Sequence, residues 1–174
     1  LFLLCFLGLF FIFFLCSGTV VFSACGGPST PVIYAATQGG LSISTDGGAS
    51  FVTRTTTDGL PNNTAAGVHA TDAGIYVATS GGLGISTDGG GSFVSRTTAN
   101  GLGSNIQRGV FATGANVYAA SFMGLGRSGD SGASFVNRTT ANGLANNSTR
   151  AVFVEVPNVY VATNGGLATS ANNA

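Results

Sequence analysis

The chain has 174 residues, 44% of them apolar, which is enough to fill the core of one ordinary domain. Only 7% are charged, lysine is absent, and six arginines balance six acidic residues for a net charge of zero. A neutral chain offers no general field for nucleic acid, and 28 glycines among many Ser, Thr and Asn favour short strands and tight turns over long helices.

Residues 1–22 are a nearly unbroken apolar run, long enough to be a secretory signal or to span a bilayer. The run has no initiating Met and no basic start, so further residues are expected ahead of Leu1. Phe22-Ser23-Ala24-Cys25-Gly26 resembles the bacterial lipobox, with small residues before a Cys and Gly after it. That resemblance implies cleavage before Cys25 and lipidation of Cys25, although Phe22 stands where Leu, Val or Ile is usual. An ordinary cleaved signal and an uncleaved anchor are the other readings, and all three export the remainder of the chain. Residues 1–24 are thus the signal peptide or membrane anchor, and 25–31 the lipidation cysteine and a short tether. Cys5 and Cys16 lie inside the apolar run, so the exported part has no cysteine pair to oxidise. The expected location is the bacterial cell envelope, attached to the membrane by lipid or anchor, or the outside of the cell.

From residue 32 onward the chain repeats. Tyr34, Tyr76, Tyr118 and Tyr160 recur every 42 residues, as do Leu41, Leu83, Leu125 and Leu167. The units run 32–73, 74–115 and 116–157, with a partial copy at 158–174. In one unit, Ile75–Thr79 alternates as a strand does, Gly81-Gly82 turns the chain, Leu83–Ser86 returns, Asp88-Gly89-Gly90 turns it again, and Phe93–Thr97 forms a third strand. A longer loop, Thr98 to Asn105, leads to a fourth strand at Val110–Thr113. Four short antiparallel strands per unit of this length predict all-β blades of a propeller.

The octet Ser44 to Phe51 returns as Ser86 to Phe93 and Ser128 to Phe135. Its fixed positions are Ser44, Asp46, Gly48, Phe51; Ser86, Asp88, Gly90, Phe93; and Ser128, Asp130, Gly132, Phe135. This pattern resembles the Asp-box (BNR-type) repeat of sialidase-like, sortilin-like and photosystem-assembly propellers. The Asn-Gly-Leu-x-x-Asn and Val-Tyr-x-Ala-Thr-x-Gly-Gly-Leu stretches are similar to two-component-regulator propeller repeats. Each octet has one carboxylate, whereas calcium needs several converging oxygens, so the octet is expected to be a fold-stabilising clip and no metal is assigned. The sialidase resemblance implies three Arg converging near the axis with a Tyr nucleophile. Arg54, Arg96 and Arg138 instead fall once per blade on the outer strand, where they are expected to keep an edge soluble. The tyrosines read as packing residues, and no catalytic residue or cofactor is assigned.

Binding is expected where the copies disagree. Arg108 and Arg150 stand just before an inner strand, where the first copy has Ala66, and could hold an anionic group. Phe122-Met123 replaces Ser80-Gly81 on the same face as an exposed contact pair or an inter-blade filler. His69 aligns with Phe111 and Phe153 as a lone core-lining residue. Counted this way the chain holds three, four, four and three strands, about three and a half blades. They are expected to form an open arc or part of a larger ring, completed by further blades of a longer chain or by self-association. The function this supports is a non-catalytic, envelope-tethered segment whose loops bind protein or glycan. The alternative is a piece of a sialidase-type exported glycoside hydrolase with its catalytic residues outside this chain.

Overall fold

The computed structural model describes residues 30–172 and the backbone of two strands in the apolar start, β1 (Phe11–Phe14) and β2 (Val20–Ser23), which pair antiparallel. These two belong to a separate unit, Leu1–Pro31. Cys25, the expected lipidation site, lies outside the described residues.

Val32–Ala174 forms the second unit, and its strands keep the 42-residue period. Blade one holds β3 (Ile33–Thr37), β4 (Gly40–Ser44) and β5 (Val52–Arg54). Blade two holds β6 (Ala65–Thr71), β7 (Gly74–Thr79), β8 (Gly82–Ser86) and β9 (Val94–Arg96). Blade three holds β10 (Gln107–Thr113), β11 (Asn116–Ser121), β12 (Gly124–Ser128) and β13 (Val136–Arg138). Blade four holds β14 (Thr149–Glu155), β15 (Asn158–Thr163) and β16 (Gly166–Ser170). Every pair is an antiparallel neighbour in chain order, so these are the strands of a partial β-propeller. The expected three, four, four and three strands are all present.

The second and third strands of the two central blades are buried on both faces, and period-two alternation divides their side chains between two neighbours. In β7, Ile75 and Val77 pack toward blade one with Leu41, Ile43, Leu60 and Phe93. Tyr76 and Ala78, pointing the other way, pack toward blade three with Leu102, Val117, Ala119 and Phe135. Tyr118 and Leu125 repeat this against Val154, Val159 and Val161 of blade four. The tyrosines of the two central blades are therefore core residues, as their spacing implied.

Three details differ from the sequence reading. The inner strand starts at Gln107 rather than Val110, because a bulge lets the ladder resume on the far side of Arg108. Phe93 and Phe135 sit just outside the outer strands and plug the gap to the preceding blade instead of pairing. The long loop also opens with one 3-10 turn, at Thr56–Asp58, Thr98–Asn100 and Thr140–Asn142. Asp58, Asn100 and Asn142 each accept the N–H of the Thr three residues earlier, Thr55, Thr97 and Thr139, and Asn63, Asn105 and Asn147 each accept the N–H of the residue after that Thr, so the Asn-Gly-Leu-x-x-Asn pattern is a loop lock. Arg96 also does more than shield an edge: its Nε donates to the Gly132 carbonyl of the next blade at 2.8 Å.

Candidate functional site

Each inner strand of blades two to four starts with the same irregularity. In β10, Gln107 pairs with Ser121 and Gly109 with Ala120, which leaves Arg108 as the extra residue of a bulge. Arg150 has that place in β14 and Ala66 in β6. A bulge re-aims its extra side chain out of the regular pleat, so two arginines are tipped toward the loop end of the strands.

Each arginine then meets the turn between the second and third strands of its own blade. The Arg108 guanidinium lies over the Phe122 ring with its carbon 3.3 Å from the centroid, and its Nη1 donates to Ser148 Oγ at 3.1 Å. Arg150 Nε donates to Asn164 Oδ1 at 2.6 Å. Burial, and after it the charge of Arg150, push the Arg108 pKa down, a sign that two like charges stand within electrostatic reach. Phe122 and Met123 are 43% and 57% exposed, so this pair forms an apolar surface and does not fill an inter-blade gap. Ile106, 46% exposed and next to Gln107, belongs to the same surface and was missed by the sequence reading. It stands where the neighbouring copies have Thr64 and Ser148, the departure from the repeat that could have revealed it.

The acidic residues lie elsewhere. Asp46, Asp88 and Asp130 occupy the octet turns, while Asp72 and Glu155 stand at the turn after the inner strand, so these five sit at the strand ends opposite Arg108 and Arg150. The sixth, Asp58, pairs with Arg54 at 3.4 Å, the one ion pair among the described residues. Zero net charge thus conceals a polarised molecule whose arginine-bearing loop end has no carboxylate beside Arg108 or Arg150 among the described residues.

The octet carboxylates are saturated by their own turns. Asp88 Oδ1 accepts the Ser86 hydroxyl at 2.7 Å and the Ser92 N–H at 3.0 Å, and Oδ2 accepts the Ser92 hydroxyl at 2.7 Å. Asp46 and Asp130 repeat this with Ser44 and Ser50, and with Ser128 and Ser134. The serine just before the aromatic, which the motif leaves free, completes the clip. These bonds hold all three carboxyls well below the usual carboxylate range. Among the described residues no group of three His, Cys, Asp or Glu is placed to hold a metal. His69 packs on Phe111 at 4.2 Å between centroids, Phe111 reaches Phe153 at 5.5 Å, and burial pushes the His69 pKa down.

Compared with protein-family models and with curated proteins, the chain matches none. Solved structures do resemble it. An ancestral GH74 enzyme aligns with a TM-score of 0.64 at 21% identity, over 84% of this chain and 22% of that one. The extracellular domain of the putative hybrid two-component system BT3049 from B. thetaiotaomicron aligns at 0.67 and 22% identity, over 84% of this chain and 21% of that one. YCF48 bound to a D1 peptide aligns at 0.59 and 18% identity, over 81% of this chain and 48% of that one. The chain spans about a fifth of the first two and about half of the third. At these identities the likeness shows a β-propeller fold and nothing of activity.

Proposed function

We propose that this chain is an exported, envelope-tethered, non-catalytic propeller segment of Asp-box type that binds an anionic group of a protein or glycan through Arg108 and Arg150, with Phe122 and Met123 as the apolar flank. The observation that carries it is the pair of bulge-positioned arginines, Arg108 half-buried and Arg150 exposed, without a carboxylate partner among the described residues, beside an exposed Phe-Met pair. Two like charges held close together are relieved by an incoming anion, and a planar guanidinium already braced on a ring loses little freedom on binding it. Extracellular domains and a peptide-bound protein among the similar folds support an exported binding role.

The test titrates the full chain, in mild detergent because of its apolar start, against a labelled poly-glutamate peptide and a labelled oligogalacturonate at low salt. At least one probe is expected to bind, and Arg108→Ala with Arg150→Ala is expected to weaken it at least about tenfold at an unchanged unfolding midpoint. Equal binding by the double variant, or no binding of either probe, sinks the reading. Lipid attachment is tested separately by mass spectrometry of the mature start: an unmodified Cys25 still preceded by Ala24 rejects it.

A further inference from the structure

The loop end of blade three departs from the repeat at places that lie together. Ile106, Phe122 and Met123 stand where blade two has Thr64, Ser80 and Gly81, and Arg108 stands where it has Ala66. Blade three packs against blade two on one side and blade four on the other. The exposure of Ile106, Phe122 and Met123, at 46%, 43% and 57%, therefore belongs to a blade with both neighbours in place.

Backbone register sets these side chains in a row. Gln107 pairs with Ser121, and one step beyond that pair Ile106 comes opposite Phe122. The same two positions are bonded in the adjoining blades: the Ser80 N–H donates to the Thr64 carbonyl and the Asn164 N–H to the Ser148 carbonyl, both at 3.0 Å. Arg108 lies over Phe122 and donates to Ser148 of blade four, and Arg150 donates to Asn164. Across the two blades the order is an apolar pair, a cation, a polar pair and a second cation.

This row supplies donors and apolar surface and few free acceptors. No carboxylate stands beside either arginine among the described residues, and Ser148 Oγ and Asn164 Oδ1 already accept from the guanidinium groups. Sugar hydroxyls need acceptors as well as donors. The Arg108 guanidinium also covers a face of the Phe122 ring on which a pyranose would stack. An ionised acidic side chain asks only for donors, and the unbranched Met123 beside Ile106 adapts to an aliphatic or aromatic neighbour.

We propose that the anion this surface takes is carried by a peptide, a linear segment of a partner protein with one large apolar residue next to two acidic ones. The apolar side chain settles on Ile106, Phe122 and Met123, and the carboxylates meet Arg108 and Arg150. This inference rests on the anion-binding reading above and decides between its protein and glycan forms.

The probes are a fluorescein-labelled, C-terminally amidated peptide Gly-Ser-Leu-Glu-Ser-Glu-Ser-Gly, the same peptide with Ser in place of Leu, and labelled digalacturonate, which carries the same number of carboxylates. Each is titrated with the full chain in mild detergent at low salt and read by anisotropy. The Leu peptide is expected to bind at least about fivefold more tightly than either other probe. Ile106→Thr with Met123→Gly gives blade three the residues that blade two has at those places, and should bring the two peptides within about twofold of each other. The comparison of probes on the unaltered chain keeps the test decisive should that variant not fold. Equal binding of the two peptides, tighter binding of digalacturonate, or a Leu advantage kept by the folded variant overturns the proposal. If the Ser peptide or digalacturonate then still binds and Arg108→Ala with Arg150→Ala weakens it, the anion-binding reading stands without this inference; if no probe binds, both fall.

Discussion

The backbone N–H of Phe135 donates to the carbonyl oxygen of Asn100 at 2.8 Å, although the two residues belong to successive blades. The octet that begins as a local turn ends as a bond to the neighbour, with the ring buried beneath it. Phe135→Ala or Phe93→Ala removes ring and packing together and is expected to cost about 3–5 kcal/mol. Phe51, the same octet position in blade one, is 48% exposed, and Phe51→Ala should cost less than about 1 kcal/mol. Urea unfolding of the three variants checks the contrast; equal losses would contradict the inter-blade role.

Ser131 is the one non-glycine residue with positive φ among those described, at 58°. Gly47 and Gly89 have that position in the other octets, at 76° and 73°. A side chain in this left-handed region costs about 1 kcal/mol, so Ser131→Gly is expected to stabilise the fold by roughly 0.5–1 kcal/mol. The reverse change at Gly90 should be severe, since its φ is 90° and an added Cβ would lie 2.5 Å from Ile43 Cδ1. Thermal midpoints of Ser131→Gly and Gly90→Ala are expected to move in opposite directions.

The reach of the sequence is set by what a period can carry. Tyr76, Leu83 and Phe93 recur because every blade meets the same neighbour, so the spacing revealed blades, strand count and core. What one copy alone contains has no periodic signature. Arg108 was legible as a departure from the first copy, but the bulge that re-aims it was not, and Ile106 stood out only as a departure from Thr64 and Ser148. Ser92 was invisible for another reason: its bond to Asp88 spans a turn whose backbone had to be known before a free motif position could be given a partner. The charge polarity needed strand directions, since the composition sums to zero.

The depressed carboxyls give the fold a definite response to acid. At Asp46 the Ser50 hydroxyl, at Asp88 the Ser92 N–H and at Asp130 the Ser128 hydroxyl lead in lowering the pKa. Folded values below unfolded ones mean a contribution fully present above about pH 4 and lost as pH falls through the unfolded range toward the folded values. His69 adds a slope of its own: burial lowers its pKa, so stability declines as pH falls below about 6.5 while the unfolded histidine protonates. In a His69→Phe background the urea midpoint should hold from pH 7 to 5 and drop below 4. Adding Asp46→Asn, Asp88→Asn and Asp130→Asn should lower the midpoint at pH 7 and flatten the acid limb. An unaltered acid limb would assign the response elsewhere.

Thr149 and Gln107 hold the same place in successive inner strands and treat it differently. Thr149, fully buried, accepts the Ser121 N–H at 2.7 Å on its hydroxyl and offers that hydroxyl to the Ser121 and Gly124 carbonyls at 2.9 and 3.0 Å, joining blade four to blade three. Thr149→Val keeps the volume but strands the buried Ser121 N–H, at a cost of about 2 kcal/mol. Gln107 donates Nε2 to the Ser104 carbonyl, but its buried Oε1 has no partner among the described residues. Gln107→Thr removes that orphan acceptor and places a hydroxyl against Thr79 and Gly82, the counterparts of Ser121 and Gly124, at the expense of side-chain volume. Relief of the orphan together with new bonds outweighs the small void, so a gain of about 1 kcal/mol is expected. Chemical denaturation decides between the two effects: a loss larger than about 1 kcal/mol for Gln107→Thr would show that packing volume governs this junction, and a gain beside a loss for Thr149→Val would show that hydrogen bonding does.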